Sequence, residues 1–156
     1  METFTPASRM KNPAAIIPGV GQGIQAVNAA IEKAGAPREV LELVHMRASQ
    51  INGCSFCVDM GWKTAKKNGE SDDRLFAVAA WRESPCFTEA ERAALLLTEH
   101  VTRLSDQLEP VPDSVWDAVS SHFDETDLAA IVLTIGLTNL YNRVNVTVRQ
   151  PVGSWG

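Results

Sequence analysis

The chain has 156 residues and a net charge of −5, enough length for one domain that buries roughly two thirds of the surface its unfolded form exposes. Lys and Arg are interspersed among the acids, so no basic stripe offers a footprint for a phosphate backbone, which excludes nucleic acid as a partner. No apolar run approaches the ~20 residues of a membrane span, and METFTPASRM carries no signal-peptide apolar core, so a cytoplasmic protein with no membrane contact is expected.

Apolar residues recur at helical spacing between Gly, Pro and Asx clusters, which predicts an all-α, single-domain bundle of six to seven helices over 1–156, with its core at about 20–150. After a Pro- and Gly-containing lead, Ile24, Val27, Ala30 and Ile31 define a first helix that Gly35 ends. Pro37 opens a second with Val40, Leu41, Val44, Ala48 and Ile51 on one side, stopped by Asn52-Gly53. A third starts at the cysteines and runs to Asn68-Gly69, and a fourth runs from a Ser71 cap through Trp81. Thr88 and Glu91 form a capping box ahead of a fifth helix containing Leu95, Leu97, His100 and Val101. A sixth spans Asp113 or Ser114 to Phe123, and a seventh runs from Asp124 to Tyr141, apolar nearly all round and therefore buried centrally or at a subunit interface. Val144, Val146 and Val148 alternate with polar residues, a period of two that predicts an extended C-terminal tail.

The stretch INGCSFCVDMGW, from Ile51 to Trp62, carries the chemistry. In a reducing compartment three cysteines are a poor structural disulfide framework, so a close pair points to reactivity. On a helix Cys54 and Cys57 are neighbours on one face, close enough to bridge. At a helix start, unpaired N–H groups and the macrodipole favour thiolate over thiol, the form that attacks peroxide or disulfide sulfur. Two other readings stay open, packing as small hydrophobes and a zinc site, although beyond the pair only isolated Cys86, His45, His100 and His122 are on offer as ligands. A thioredoxin-like domain would need a strand before Cys54, and none is predicted. Upstream, Glu42 lies on a different face of its helix from Val40 and Val44, with His45 one turn on. A helical hairpin brings such a carboxylate near the cysteine helix as a proton acceptor; the alternative is a solvated acid paired with Arg38 or Arg47.

These residues resemble the carboxymuconolactone decarboxylase-like superfamily in its alkylhydroperoxidase D-like branch. The matching pieces are Glu42 twelve positions before the CxxC, RASQINGCSFCVDM, AAWRES from Ala79, FTEAERAALLLTE from Phe87 and NLYNRVNV from Asn139. The resemblance implies an all-α fold, assembly into a homo-oligomeric trimer or hexamer, and a thiol peroxidase and disulfide oxidoreductase cycle acting on a small-molecule hydroperoxide. Cys57 takes the attacking role, Cys54 closes the disulfide and Glu42 relays the proton. The implied reductant is a dithiol, a lipoyl-carrying protein or a peroxiredoxin partner, with no cofactor, metal or flavin. The family pattern has a histidine four residues after the second cysteine, where this chain has Gly61. His45 is the accessory candidate to replace it, and Gly61→His is expected to raise peroxide reduction. Two alternative functions accompany this reading: a retuned redox-sensing or ligand-binding member, and a non-redox decarboxylase of the superfamily's other branch.

Other polar residues are assigned to structure. Asp59 suits the start of the cysteine helix; Trp62, Trp81, Trp116 and Trp155 suit packing or an interface. Asn142 and Arg143 are expected to bond backbone or acids, His100 to sit in the core, and Cys86 to be structural.

Overall fold

The computed structural model describes Phe4 and residues 6–154, and all regular structure among them is helical. The helices are α1 (Pro13–Ile16), α2 (Val20–Ala34), α3 (Arg38–Ile51), α4 (Ser55–Lys67), α5 (Asp72–Ala77), α6 (Glu89–Thr102), α7 (Asp113–Ser120) and α8 (Glu125–Val148). Two 3-10 turns, Val78–Glu83 and Leu104–Asp106, complete the set.

α3 is the axis of the bundle because it buries two adjacent faces. Val40 and Val44 pack with Ala94 and Leu97 of α6 and with Ile131 and Ile135 of α8. Leu43 and Met46, one position round, enter a second cluster with Ala65, Leu75, Trp81 and Phe87. The helix starts follow their local chemistry. Thr88 Oγ1 accepts from the Glu91 N–H at 3.2 Å and Glu91 Oε2 accepts from the Thr88 N–H at 2.8 Å, the capping box its spacing predicts. Asp124 caps α8 through the Asp127 N–H at 2.9 Å.

Three sequence expectations change. The extended tail is absent: residues 144–148 continue α8, which ends only where Arg149 turns left-handed at φ 55°. Val148 falls in register with Asn142 and Asn145 on the buried seam of the helix, and the spacing of three places all of them on one face, whereas a strand there has no partner to complete its hydrogen bonds. The fourth predicted helix breaks after Ala77 into a 3-10 turn, with Ala80 off helical geometry. That turn seats Trp81 in the interior, where its Nε1 donates to Glu99 at 2.9 Å. α1 was not anticipated, although Asn12 followed by Pro13 is a legible start signal: the Asn12 side chain accepts from the Ala14 N–H and Pro13 needs no partner.

Among the tryptophans Trp81 is core, Trp62 and Trp116 are exposed, and Trp155 lies outside the described residues. α8 is buried along Leu128, Ile131, Ile135, Thr138 and Asn142 but leaves Leu133 51% and Leu140 44% exposed on its far side. Among the described residues no helix is long and apolar enough to cross a membrane.

Candidate active site

α3 and α4 form a hairpin whose turn is Asn52-Gly53. Gly53 adopts φ 65°, a left-handed conformation that glycine enters without steric cost. The Asn52 amide donates to Asn139 Oδ1 at 3.0 Å and Asn142 Oδ1 at 2.9 Å, tying the turn to α8. Asn142 in turn donates to Ser49 Oγ at 3.1 Å, so it bonds core side chains and not backbone or acids, while Arg143 bonds the Asn139 carbonyl and side chain. The turn therefore delivers Cys54 as the N-cap of α4 and Cys57 one turn inside it.

The two sulfurs are within bonding distance and the Cα atoms are 5.3 Å apart, in the range of a disulfide. Cys54 Sγ also accepts from the Cys57 N–H at 3.3 Å, one of the orphan amides of the helix start. Both cysteines are buried, at 1% and 0% exposure. Cys57 Sγ has a second neighbour, Asn145 Nδ2 of α8, at 3.4 Å.

His45 reaches α4 from α3. Its Nε2 lies 3.2 Å from the Cys57 carbonyl and its Nδ1 3.2 Å from Thr138 Oγ1. A carbonyl only accepts, so Nε2 carries the proton and Nδ1 accepts from the threonine hydroxyl. Burial pushes the His45 pKa below its ordinary value, and the bond to the Cys57 carbonyl offsets only part of this. The ring occupies the room that Gly61 leaves: a Cβ there would sit 2.7 Å from His45 Cδ2 and 3.2 Å from Nε2. Gly61 thus fits the histidine of the neighbouring helix. The expectation that Gly61→His alone raises activity is revised, because a side chain at 61 collides with His45 in its present position.

Glu42, one turn before His45, does not have either sulfur among its partners. Its carboxylate accepts from Asn68 Nδ2 at the end of α4 and pairs with Arg38 at 3.9 Å, since the antiparallel hairpin sets the beginning of α3 against the end of α4. Glu42, His45 and Gly61 nevertheless line one cleft of about 550 Å³ with Asn28, Met60 and Thr64. Asp59 bonds Lys63 at 2.8 Å and does not cap α4. His100 is partly buried, its Nδ1 donating to the Pro110 carbonyl at 2.8 Å. Cys86 is a free thiol away from the pair. Among the described residues no group of three or more His, Cys, Asp and Glu could hold a metal ion.

The structure thus joins Cys54, Cys57 and His45 directly and sets Glu42 at the cleft. Sequence reasoning missed Thr138 and Asn145 as site residues. Their signal was present, as polar side chains on the buried seam of a mostly apolar helix, where each must find a partner.

A model of the carboxymuconolactone decarboxylase family matches residues 18–100. The uncharacterized protein YdfG of Bacillus subtilis is 38% identical over 117 residues, 75% of this chain and 78% of that protein. The uncharacterized protein YnjA of Escherichia coli is 39% identical over 113 residues, 72% of this chain but 60% of that longer protein. Among solved structures, a protein of unknown function from Agrobacterium tumefaciens, whose suggested role is antioxidant defence of the AhpD type, superposes with a TM-score of 0.87 at 32% identity, over 96% of this chain and all of that one. The debrominase Bmp8 shares the fold, with a TM-score of 0.75 at 20% identity over 88% of this chain and 73% of Bmp8. With its AhpD-like helical fold and its cysteine pair at the start of α4, the chain belongs to the carboxymuconolactone decarboxylase family.

Proposed function

We propose that the protein is a thiol-dependent peroxidase and disulfide oxidoreductase that reduces a small-molecule hydroperoxide through Cys54 and Cys57. The observation that carries this reading is the pair itself, two sulfurs in bonding distance at a helix start, each with an N–H donor beside it. Cys57 as thiolate attacks the terminal peroxide oxygen. The O–O bond breaks, sulfur is oxidised to sulfenic acid, and the alkoxide leaves as alcohol after taking the proton Cys57 gave up. Cys54, deprotonated in turn, attacks the sulfenic sulfur; the S–S bond forms and hydroxide leaves as water. A dithiol donor, carried on lipoyl or on a peroxiredoxin partner, then returns two electrons and two protons.

Glu42, His45 and Gly61 line the same cleft. In this reading the cleft admits the hydroperoxide, Glu42 holds the travelling proton, and His45 positions Cys57 through its carbonyl. The apolar far side of α8, with Leu133 and Leu140 exposed, supports the trimeric or hexameric assembly proposed here.

The test is hydroperoxide consumption coupled to dithiol oxidation. Cys57→Ser is expected to abolish turnover, and Cys54→Ser to stop after one equivalent with a sulfenic acid trapped at Cys57. Full turnover by Cys57→Ser overturns the proposal.

A further inference from the structure

We propose that Asn145 is a further catalytic residue, an amide donor aimed at the Cys57 sulfur that holds it as thiolate. The inference rests on the reading of the pair as redox-active. Asn145 lies on the buried seam of α8 and places Nδ2 3.4 Å from Cys57 Sγ, a hydrogen-bonding distance for sulfur.

An asparagine amide can be turned either way, so the orientation needs an argument. Here a chain of contacts starting from a backbone amide settles it. The Ala14 N–H can only donate, and it donates to Asn12 Oδ1 at 3.0 Å. The other end of the Asn12 side chain is therefore Nδ2, which donates to Asn145 Oδ1 at 2.9 Å. Asn145 consequently turns its NH2 group to the sulfur. The same Asn12 Nδ2 lies 3.3 Å from Gln150 Oε1, so the residues on both sides of α8's end hold one arrangement. The N-terminal segment thereby helps set the chemistry of a cysteine far away in the chain.

The donors are divided so that each sulfur has its own N–H partner for the step in which it is the nucleophile. Cys54 Sγ, at the N-cap, takes the backbone N–H of residue 57. Cys57 Sγ, in the first turn of the helix, takes a side-chain donor instead, Asn145 Nδ2. The groups able to compete around it are few. His45 on α3 is engaged with the Cys57 carbonyl and Thr138, and Asp59 of α4 is paired with Lys63. On α8, Arg143 is taken by Asn139 and Arg149 lies beyond the helix end. A hydrogen bond to a charged acceptor is among the stronger ones, and it acts on the thiolate while leaving the neutral thiol nearly unaffected, so it lowers the pKa.

The experiment follows site-resolved alkylation of Cys57 against pH by mass spectrometry, in the full chain carrying Cys54→Ser so that one thiol of the pair titrates. Removing the donor in Asn145→Ala is expected to lower the thiolate fraction at neutral pH about tenfold, seen as an upward shift of the profile midpoint. Asn145→Asp, nearly the same shape, is expected to shift it further, because a carboxylate oxygen then faces the sulfur. Asn12→Ala, at a partly exposed position, frees the amide to turn and is expected to shift it less. Should Asn145→Ala fold poorly, the other two variants decide. Unchanged midpoints in folded variants overturn the inference. Peroxide consumption measured for the same substitutions in chains retaining Cys54 separates the two readings. A shifted midpoint in a protein without turnover removes the peroxidase and leaves the donor, whereas turnover with an unshifted midpoint does the reverse.

Discussion

Gly61→Ala is a substitution whose sign depends on one neighbour. In an ordinary helix interior, alanine for glycine gains about 1 kcal/mol. Here the new Cβ would meet His45 Cδ2 at 2.7 Å, and ordinary contact begins at 3.4 Å, so the ring must retreat by 3.4 − 2.7 = 0.7 Å. It has little freedom to do so, because both of its nitrogens are bonded. Overpacking of this kind costs about 1–3 kcal/mol, so in the presence of His45 the propensity gain is cancelled or reversed. In a His45→Ala background the obstruction is gone, and Gly61→Ala should stabilise by about 1 kcal/mol. The two single variants and the double variant form a cycle with an expected coupling of about 1–3 kcal/mol. Urea unfolding followed by circular dichroism, with the cysteine pair held in one redox state, reads all four proteins. An equal gain of about 1 kcal/mol in both backgrounds would show that His45 does not fill the space above Gly61, and the complementarity argument fails.

The same geometry governs activity: Gly61→His alone is expected to lower hydroperoxide turnover, and the exchange His45→Ala with Gly61→His to recover part of it, measured by coupled dithiol oxidation. Acid stability tests the state of His45. Its folded pKa lies below the ordinary 6.5, so the unfolded chain takes up the proton first. Stability is complete above about pH 6.5 and falls as pH drops below it, by at most about 1.4 kcal/mol per unit, until the folded pKa is reached. His45→Gln should flatten urea midpoints in that window. The window is separable from the carboxylates: burial raises the Glu99 pKa, but bonds from Trp81, Arg82 and Arg47 outweigh it and leave the group below its ordinary 4.5, so its contribution is lost only at lower pH. Glu99→Ala strands Arg47, now 2.7 Å from that carboxylate and largely buried, and is expected to cost about 3–5 kcal/mol in the unfolding free energy.

The helices were legible where short-range chemistry decides them. Thr88 with Glu91, Asn52-Gly53 before the cysteines, and the left-handed exit at Asn68-Gly69 are local signals, and each appears where its residues place it. The end of α8 was not legible, because a valine in every second position fits an extended chain as well as it fits a helix. What decides between them is the contact of Asn142, Asn145 and Val148 with the bundle, a matter of tertiary packing. The site divides along the same line. Cys54 and Cys57 are i and i+3 on one turn, so their meeting follows from helix geometry alone. Glu42 was given the proton relay by the resemblance, whereas its position alone favoured a helix-face acid paired with Arg38 or Arg47, and the Arg38 pair is present. Whether position 42 or 45 faces Cys57 depends on how far α3 runs past α4, and that places His45 there. His45 was the accessory candidate for the histidine that Gly61 replaces, and its ring does lie against Gly61. The pairing of Asn145 with Asn12 joins residues far apart in sequence, and neither spacing nor periodicity encodes such a contact.

The claim on which the rest depends is that Cys54 and Cys57 cycle between thiols and a disulfide at the expense of a hydroperoxide. It is tested most directly by adding one equivalent of hydroperoxide to the fully reduced protein and mapping the cysteines by alkylation and peptide mass spectrometry. The account predicts that one disulfide forms within the Ile51–Trp62 stretch while Cys86 stays alkylatable, and that Cys57→Ser forms none. A protein that leaves both cysteines alkylatable after hydroperoxide, or consumes it equally well without Cys57, contradicts the account.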